Sequence, residues 1–193
     1  KRNIINKQIN SSTKICNNLN ILDVGCGGGL LCEPLSRLGG NVTGIDVSEN
    51  AILTAKQHAS KMGLKINYIC TSLEELNMKK DFDLIIASEV IEHVLDRKYF
   101  LKMIRKISSN KTSFIFTTIN KSIPSLLFGK FAAEYILNLI PKGTHDWEKF
   151  VTPQKLYLEA LENGIYLNNF SGLTPNIFNK EFNLTSYLGI NYA

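Results

Sequence analysis

The run NILDVGCGGGLL, residues 20 to 31, constrains this chain more than any other stretch. Its apolar half reads as a buried β-strand ending in glycines, and LLCEPLSRLGG after it has helical spacing with a stop at Gly39 and Gly40. Gly25, Gly27 and Gly29 lie directly behind the strand, where positions without a side chain let backbone amides approach a ligand at a helix N-terminus. Asp46 comes 21 residues after Gly25, at the end of the next strand, NVTGIDV. A carboxylate there can accept hydrogen bonds from both hydroxyls of a ribose. Strand, glycines, helix and acid in register point to an adenosine-containing ligand.

The remaining pattern extends this unit. Ser48 and Glu49 open a helix through AILTAKQHASKMG, KINYICT (65–71) is a third strand, and the acidic turn SLEEL follows it. FDLIIAS (82–88) is a fourth strand, rich in isoleucine as in a sheet covered on both faces. A helix is expected from Glu89 to about Ser108, then a fifth strand, TSFIFTTIN (112–120). TPQKLYLEALENG (152–164) reads as a capped helix, and the tail offers strands in IYLNNFSGL and SYLGINYA. Strands alternating with helical segments imply an α/β fold, a doubly wound and mostly parallel sheet of the Rossmann-like kind with helices on both faces. With 193 residues, 44% of them hydrophobic, one domain spanning 1–193 is expected. An insert at about 121–150, bracketed by Pro124 and Pro141, would form a lid or a membrane-facing element.

The stretch ASEVIEHV, residues 87 to 94, places Glu89, Glu92 and His93 at i, i+3 and i+4. On the expected helix these share one face, able to hold a metal ion or a proton. The plainer reading is the polar side of an amphipathic helix whose Val90, Ile91 and Val94 turn inward. His58 in the second helix reads as solvent-facing, and His145 as either a second base or a loop histidine.

The glycine pattern is GxGxG, because Leu30 stands where the dinucleotide fingerprint GxGxxG needs glycine. LDVGCGGG with GIDVS resembles the class I S-adenosylmethionine-dependent methyltransferases. The end of strand four reads ASEV and not the DPPY or NPPY tetrad of enzymes that methylate nucleobase amines, which counts against that reaction though not against other nucleic acid substrates; no nucleic acid is expected among the partners that the closer resemblance below implies. DVGCGGGLLCEPLSRLG, TGIDVS, ASEVIEHV and FTTINKS, followed by AEYILNLIPKGTHDWEKFVTP, together closely resemble the ubiquinone biosynthesis O-methyltransferases. PKGTHDW, from Pro141 to Trp147, is the most specific of these elements.

That resemblance implies S-adenosylmethionine as cofactor and a polyprenylated catechol as substrate, at a 2-polyprenyl-6-hydroxyphenol and at 3-demethylubiquinol. It carries cofactor contacts onto Gly25, Gly27, Asp46 and Ser88, with Ser72 and Leu73 beside the adenine and Arg2 on the cofactor carboxylate. In some members the residues matching Glu89, Glu92 and His93 bind Mg2+, and in a metal-free version His93 is the general base, with His145 as a second catalytic candidate. The formal charge of +5 allows an anionic membrane surface as a partner, besides other ubiquinone-synthesis enzymes. No signal-peptide run opens the chain, so a cytoplasmic location is expected, peripheral on the inner membrane face in a bacterium or on the matrix side in a mitochondrion. The rival readings are a methyltransferase of another small molecule and a cofactor-binding but inactive subunit of a biosynthetic complex.

Overall fold

The computed structural model describes residues 15–76, 81–122, 125, 149–176, 181–189 and 191–193. Two compact units divide the chain: Lys1–Ser88 with Tyr99–Phe116, and Glu89–Lys98 with Thr117–Ala193.

In the first unit the strands β1 (Asn20–Val24), β2 (Asn41–Asp46), β3 (Asn67–Cys70) and β4 (Leu84–Ser88) stand in the order β3-β2-β1-β4, with β5 (Ser113–Ile119) next. β1 pairs in parallel with both β2 and β4, and β2 in parallel with β3. Parallel strands need crossovers, and the helices α1 (Cys32–Arg37) and α2 (Glu49–Lys61) supply the first two. α2 begins where expected, because the Ser48 hydroxyl accepts from the Ala51 amide at 3.3 Å and so satisfies one of the unpaired first-turn donors.

The core of this unit is made by the apolar runs of the strands and the inward stripe of α2, with Ile21, Val42, Ile52, Ala55, Ala59, Tyr68 and Ile86 packed together. His58, on the outer face of α2, is exposed as expected, yet its Nδ1 meets the buried Glu33 Oε1 of α1. The strand order reverses between β1 and β4. In such sheets ligands bind outside the carboxyl ends of the strands at the reversal.

In the second unit the end of β5 pairs antiparallel with β8 (Asn191–Tyr192), which pairs with β6 (Gly172–Asn176), which pairs with β7 (Glu181–Thr185). The tail therefore holds three strands. IYLNNFSGL contributes only its last two residues to β6, and EFNLT, outside both strands expected in the tail, forms β7.

The expected helix from Glu89 does not form there. Glu89 takes a left-handed backbone with φ of 57°, residues 91–93 make a turn, and α3 runs only over Arg97–Lys106. α4 (Pro153–Glu162) matches its expected capped start, with Thr152 accepting from the Lys155 amide at 3.2 Å and Pro153 at its first position.

Candidate active site

Four strand ends of the first unit carry the residues expected to bind the cofactor. Gly25, Gly27 and Gly29 follow β1 with φ of 69°, 52° and 83°, a left-handed run that side chains rarely adopt. At Gly29 a Cβ would lie 2.2 Å from the Tyr68 hydroxyl, so that position must be glycine on packing grounds as well. At Gly27 and Gly28 a Cβ would meet nothing within 4 Å, which leaves the backbone open to a ligand.

Asp46, at the end of β2, is half-buried. Its Oδ2 accepts from the Gly27 amide and its Oδ1 from the Ser48 amide, both at 2.8 Å. Each oxygen keeps lone-pair capacity for a further donor such as a ribose hydroxyl. Ser72 lies beyond β3 and its hydroxyl accepts from the Glu75 amide, whereas the Leu73 side chain is buried. Ser88 is the last residue of β4 and half-buried. Gly25, Asp46, Ser72 and Ser88 thus stand at the carboxyl ends of β1, β2, β3 and β4, the edge where the sheet order predicts a ligand.

The second unit holds the carboxylates. Glu89 donates its amide to the Thr117 carbonyl at 2.9 Å, which anchors the strained residue to β5. Its Oε1 accepts from the Thr117 hydroxyl at 2.9 Å and its Oε2 from Asn191 Nδ2 at 3.4 Å. Glu92 is 3% exposed, and its Oε2 accepts from the Thr118 hydroxyl at 2.8 Å. Burial pushes the Glu92 carboxyl up to about 7, and the neighbouring Glu89 charge adds to the shift. His93 is exposed and donates its amide to the Val90 carbonyl.

The helical face expected for Glu89, Glu92 and His93 is therefore absent. The left-handed residue turns the chain at Glu89, so the spacing of three and four residues no longer stacks side chains. The two glutamates come together without the histidine. Among the described residues no three His, Cys, Asp or Glu side chains are grouped so as to hold a metal ion, and the expected magnesium set does not fit as a trio. Arg2 and His145 lie outside the described residues, as does all of PKGTHDW.

Residues 22–116 match a methyltransferase domain family. A ubiquinone biosynthesis O-methyltransferase from Pelagibacter ubique is 44% identical over 193 residues, covering 100% of this chain and 80% of the relative. The chain belongs to the ubiquinone biosynthesis O-methyltransferase family. Its counterpart in Bradyrhizobium diazoefficiens is 41% identical, with 90% of this chain and 69% of the relative covered. That from Rickettsia prowazekii is 40% identical, with 96% and 74% covered.

Among solved structures, a magnesium protoporphyrin IX methyltransferase from Synechocystis with bound SAH shares the fold at a TM-score of 0.69 and 18% identity, covering 99% of this chain and 80% of that one. A SAM-dependent methyltransferase from Aquifex aeolicus does so at 0.64 and 15% identity, covering 99% and 85%. The chain is thus an S-adenosylmethionine-dependent O-methyltransferase with a class I fold.

Several residues of the site have no counterpart in the sequence reading. Thr117, Thr118 and Asn191 hold the glutamates, and a threonine pair inside an apolar strand was the only signal for two of them. Val47 and Leu30, 75% and 85% exposed, flank Asp46 and the glycine turn as apolar surfaces open to solvent. An apolar residue directly behind the strand-end acid is the signal that could have found Val47.

Proposed function

We propose that this chain methylates a hydroxyl of a polyprenylated catechol, at the 2-polyprenyl-6-hydroxyphenol and 3-demethylubiquinol steps of ubiquinone synthesis. The relatives' name supports the substrate class. The observation that carries the chemistry is the Glu89 and Glu92 pair, fixed to β5 by Thr117 and Thr118.

Methyl transfer forms a bond from the phenolic oxygen to the methyl carbon and breaks the carbon–sulfur bond of the sulfonium. S-adenosylhomocysteine leaves, and the phenolic proton needs an acceptor. Glu89, whose hydrogen bonds hold it at the end of β4, takes that proton, and general-base assistance of this kind contributes roughly 10²- to 10⁴-fold. His93, exposed three residues after Val90, passes it to water, with His145 as a second carrier. The glycine turn, Asp46, Ser72, Leu73, Ser88 and Arg2 bind the cofactor, and Val47 lines its adenine. No step in this reading needs a metal.

No helix among the described residues is long and apolar enough to cross a membrane. In this proposal the lipid-borne substrate is met peripherally, on an anionic leaflet, helped by a net charge of +5.

The test is turnover of a prenylated catechol by the full chain, with and without EDTA. Expected are activity unaffected by EDTA, a loss of about 100-fold in kcat for Glu89→Gln, and a markedly slower reaction with the unprenylated catechol. Equal rates on the two catechols would refute the lipid substrate, and loss of activity in EDTA would restore a metal to Glu89 and Glu92.

A further inference from the structure

In the second unit, β5 ends at Ile119 and Asn120 follows it. The Asn120 Nδ2 donates to the Leu188 carbonyl at 2.8 Å, and the Asn120 carbonyl accepts from the Ser125 hydroxyl and closes the turn with the Ser122 amide. The other half of the amide is idle. Asn120 Oδ1 is shielded from solvent and has no hydrogen-bond partner among the described residues.

A shielded acceptor without a donor costs free energy that folding must offset elsewhere, so it calls for an explanation. A reversed amide is not one. Turning the group over would set Oδ1 against the Leu188 carbonyl, two acceptors face to face, and would lose the one bond the side chain makes. The Leu188 contact therefore fixes Oδ1 as the atom presented on the other side.

Asn120 follows the strand that holds the carboxylate pair. Asn120 lies two residues beyond Thr118, which holds Glu92, just past the end of β5. Ile119 stands opposite Asn191, whose amide reaches Glu89. A ring with two neighbouring hydroxyls offers one donor to the carboxylates and a second beside it.

We propose that Asn120 is the residue that reads the second, unmethylated hydroxyl of the acceptor, by accepting its hydrogen bond at Oδ1. A phenol lacking that hydroxyl leaves the oxygen unpaired, so the site selects for two neighbouring hydroxyls and does not merely admit any phenol. The inference rests on the proposed catechol acceptor.

The experiment measures equilibrium binding of geranyl catechol and of geranyl phenol to the full chain saturated with S-adenosylhomocysteine. The wild-type protein is expected to bind the catechol about tenfold more tightly, in line with one hydrogen bond to an otherwise unpaired group. Asn120→Leu is expected to bring the ratio below about threefold by weakening the catechol alone. Asn120→Ala, which removes the amide without adding bulk, serves as the second variant. The comparison uses whichever variant retains wild-type affinity for S-adenosylhomocysteine. No preference in the wild-type protein, an unchanged ratio in the variant, or equal weakening of both ligands would overturn the role of Asn120. Binding of neither ligand by the wild-type protein would instead refute the catechol reading itself.

Discussion

At Glu89 a single backbone angle separates the amphipathic helix expected from the sequence and the carboxylate pair observed. A non-glycine residue at φ of 57° carries strain of about 1–2 kcal/mol, which persists only where neighbours over-determine it. Three bonds do so here: amide to Thr117 carbonyl, Oε1 from the Thr117 hydroxyl and Oε2 from Asn191. Glycine would adopt the same backbone without strain. Glu89→Gly is therefore expected to keep the melting temperature within the equivalent of about 1 kcal/mol of wild type, relief of strain offsetting the lost side-chain bonds. It should at the same time lower kcat at least as far as Glu89→Gln. A large drop in melting temperature, measured by calorimetry, would mean that Glu89 is a structural residue. Nothing in ASEVIEHV marks this angle, because the bonds that hold it come from residues 28 and 102 positions away.

Between elements, a two-pronged ion pair joins Arg97, at the start of α3, to Glu159 on α4. Arg97 Nε and Nη2 meet the two carboxylate oxygens at 2.9 and 3.1 Å, with side-chain exposures of 20% and 9%. Such a fork is geometrically strong, but its net worth against an apolar pair is small because both charges left water. Removing one partner is different. Arg97→Ala leaves a buried carboxylate unpaired and is expected to cost about 3 kcal/mol, the low end for broken buried pairs, since Arg97 keeps part of its surface in water. The double change Arg97→Met with Glu159→Leu should cost less than Arg97→Ala in urea unfolding. If the double variant were the less stable, the pair would be a net source of stability. Asp96, of a type favoured just ahead of a helix, directly precedes the first residue of α3. Phe100, Leu101, Met103 and Ile104 form the buried face of α3, and apolar spacing of this kind marks a helical face without marking its first turn.

For the molecule as a whole, stability should fall on the alkaline side of pH 4 because of Asp23. This residue is the acid of LDVG, 2% exposed, and the Cys32 thiol donates to its Oδ2 at 3.2 Å. Burial pushes its carboxyl up from 3.8 to about 6, the Cys32 bond opposes the shift and the Asp46 charge adds to it. A raised folded value means that the folded state binds the proton more tightly than the unfolded chain. Its contribution is full below about pH 3.8 and is lost as pH rises through about 6. Asp23→Asn should remove that decline, so the wild-type minus variant difference in melting temperature grows more negative between pH 4 and 7. A difference independent of pH would show that Asp23 ionises freely in the fold.

The sequence by itself determined the parallel strands β1 to β4, the glycine turn and the strand-end acid, and hence an adenosine-containing ligand. These depend on local signals: apolar runs of strand length, glycines where φ must be positive, and a cap at Ser48. With the motifs spread along the chain it also determined the family. The tertiary structure alone decided that Glu89 and Glu92 meet without His93, that two threonines of β5 hold them, that EFNLT is a strand and that Asn120 keeps an idle oxygen. Each of these depends on a partner far away in sequence, and a pattern read over three or four neighbouring residues carries no information about which distant group will satisfy a buried carboxylate or an edge strand.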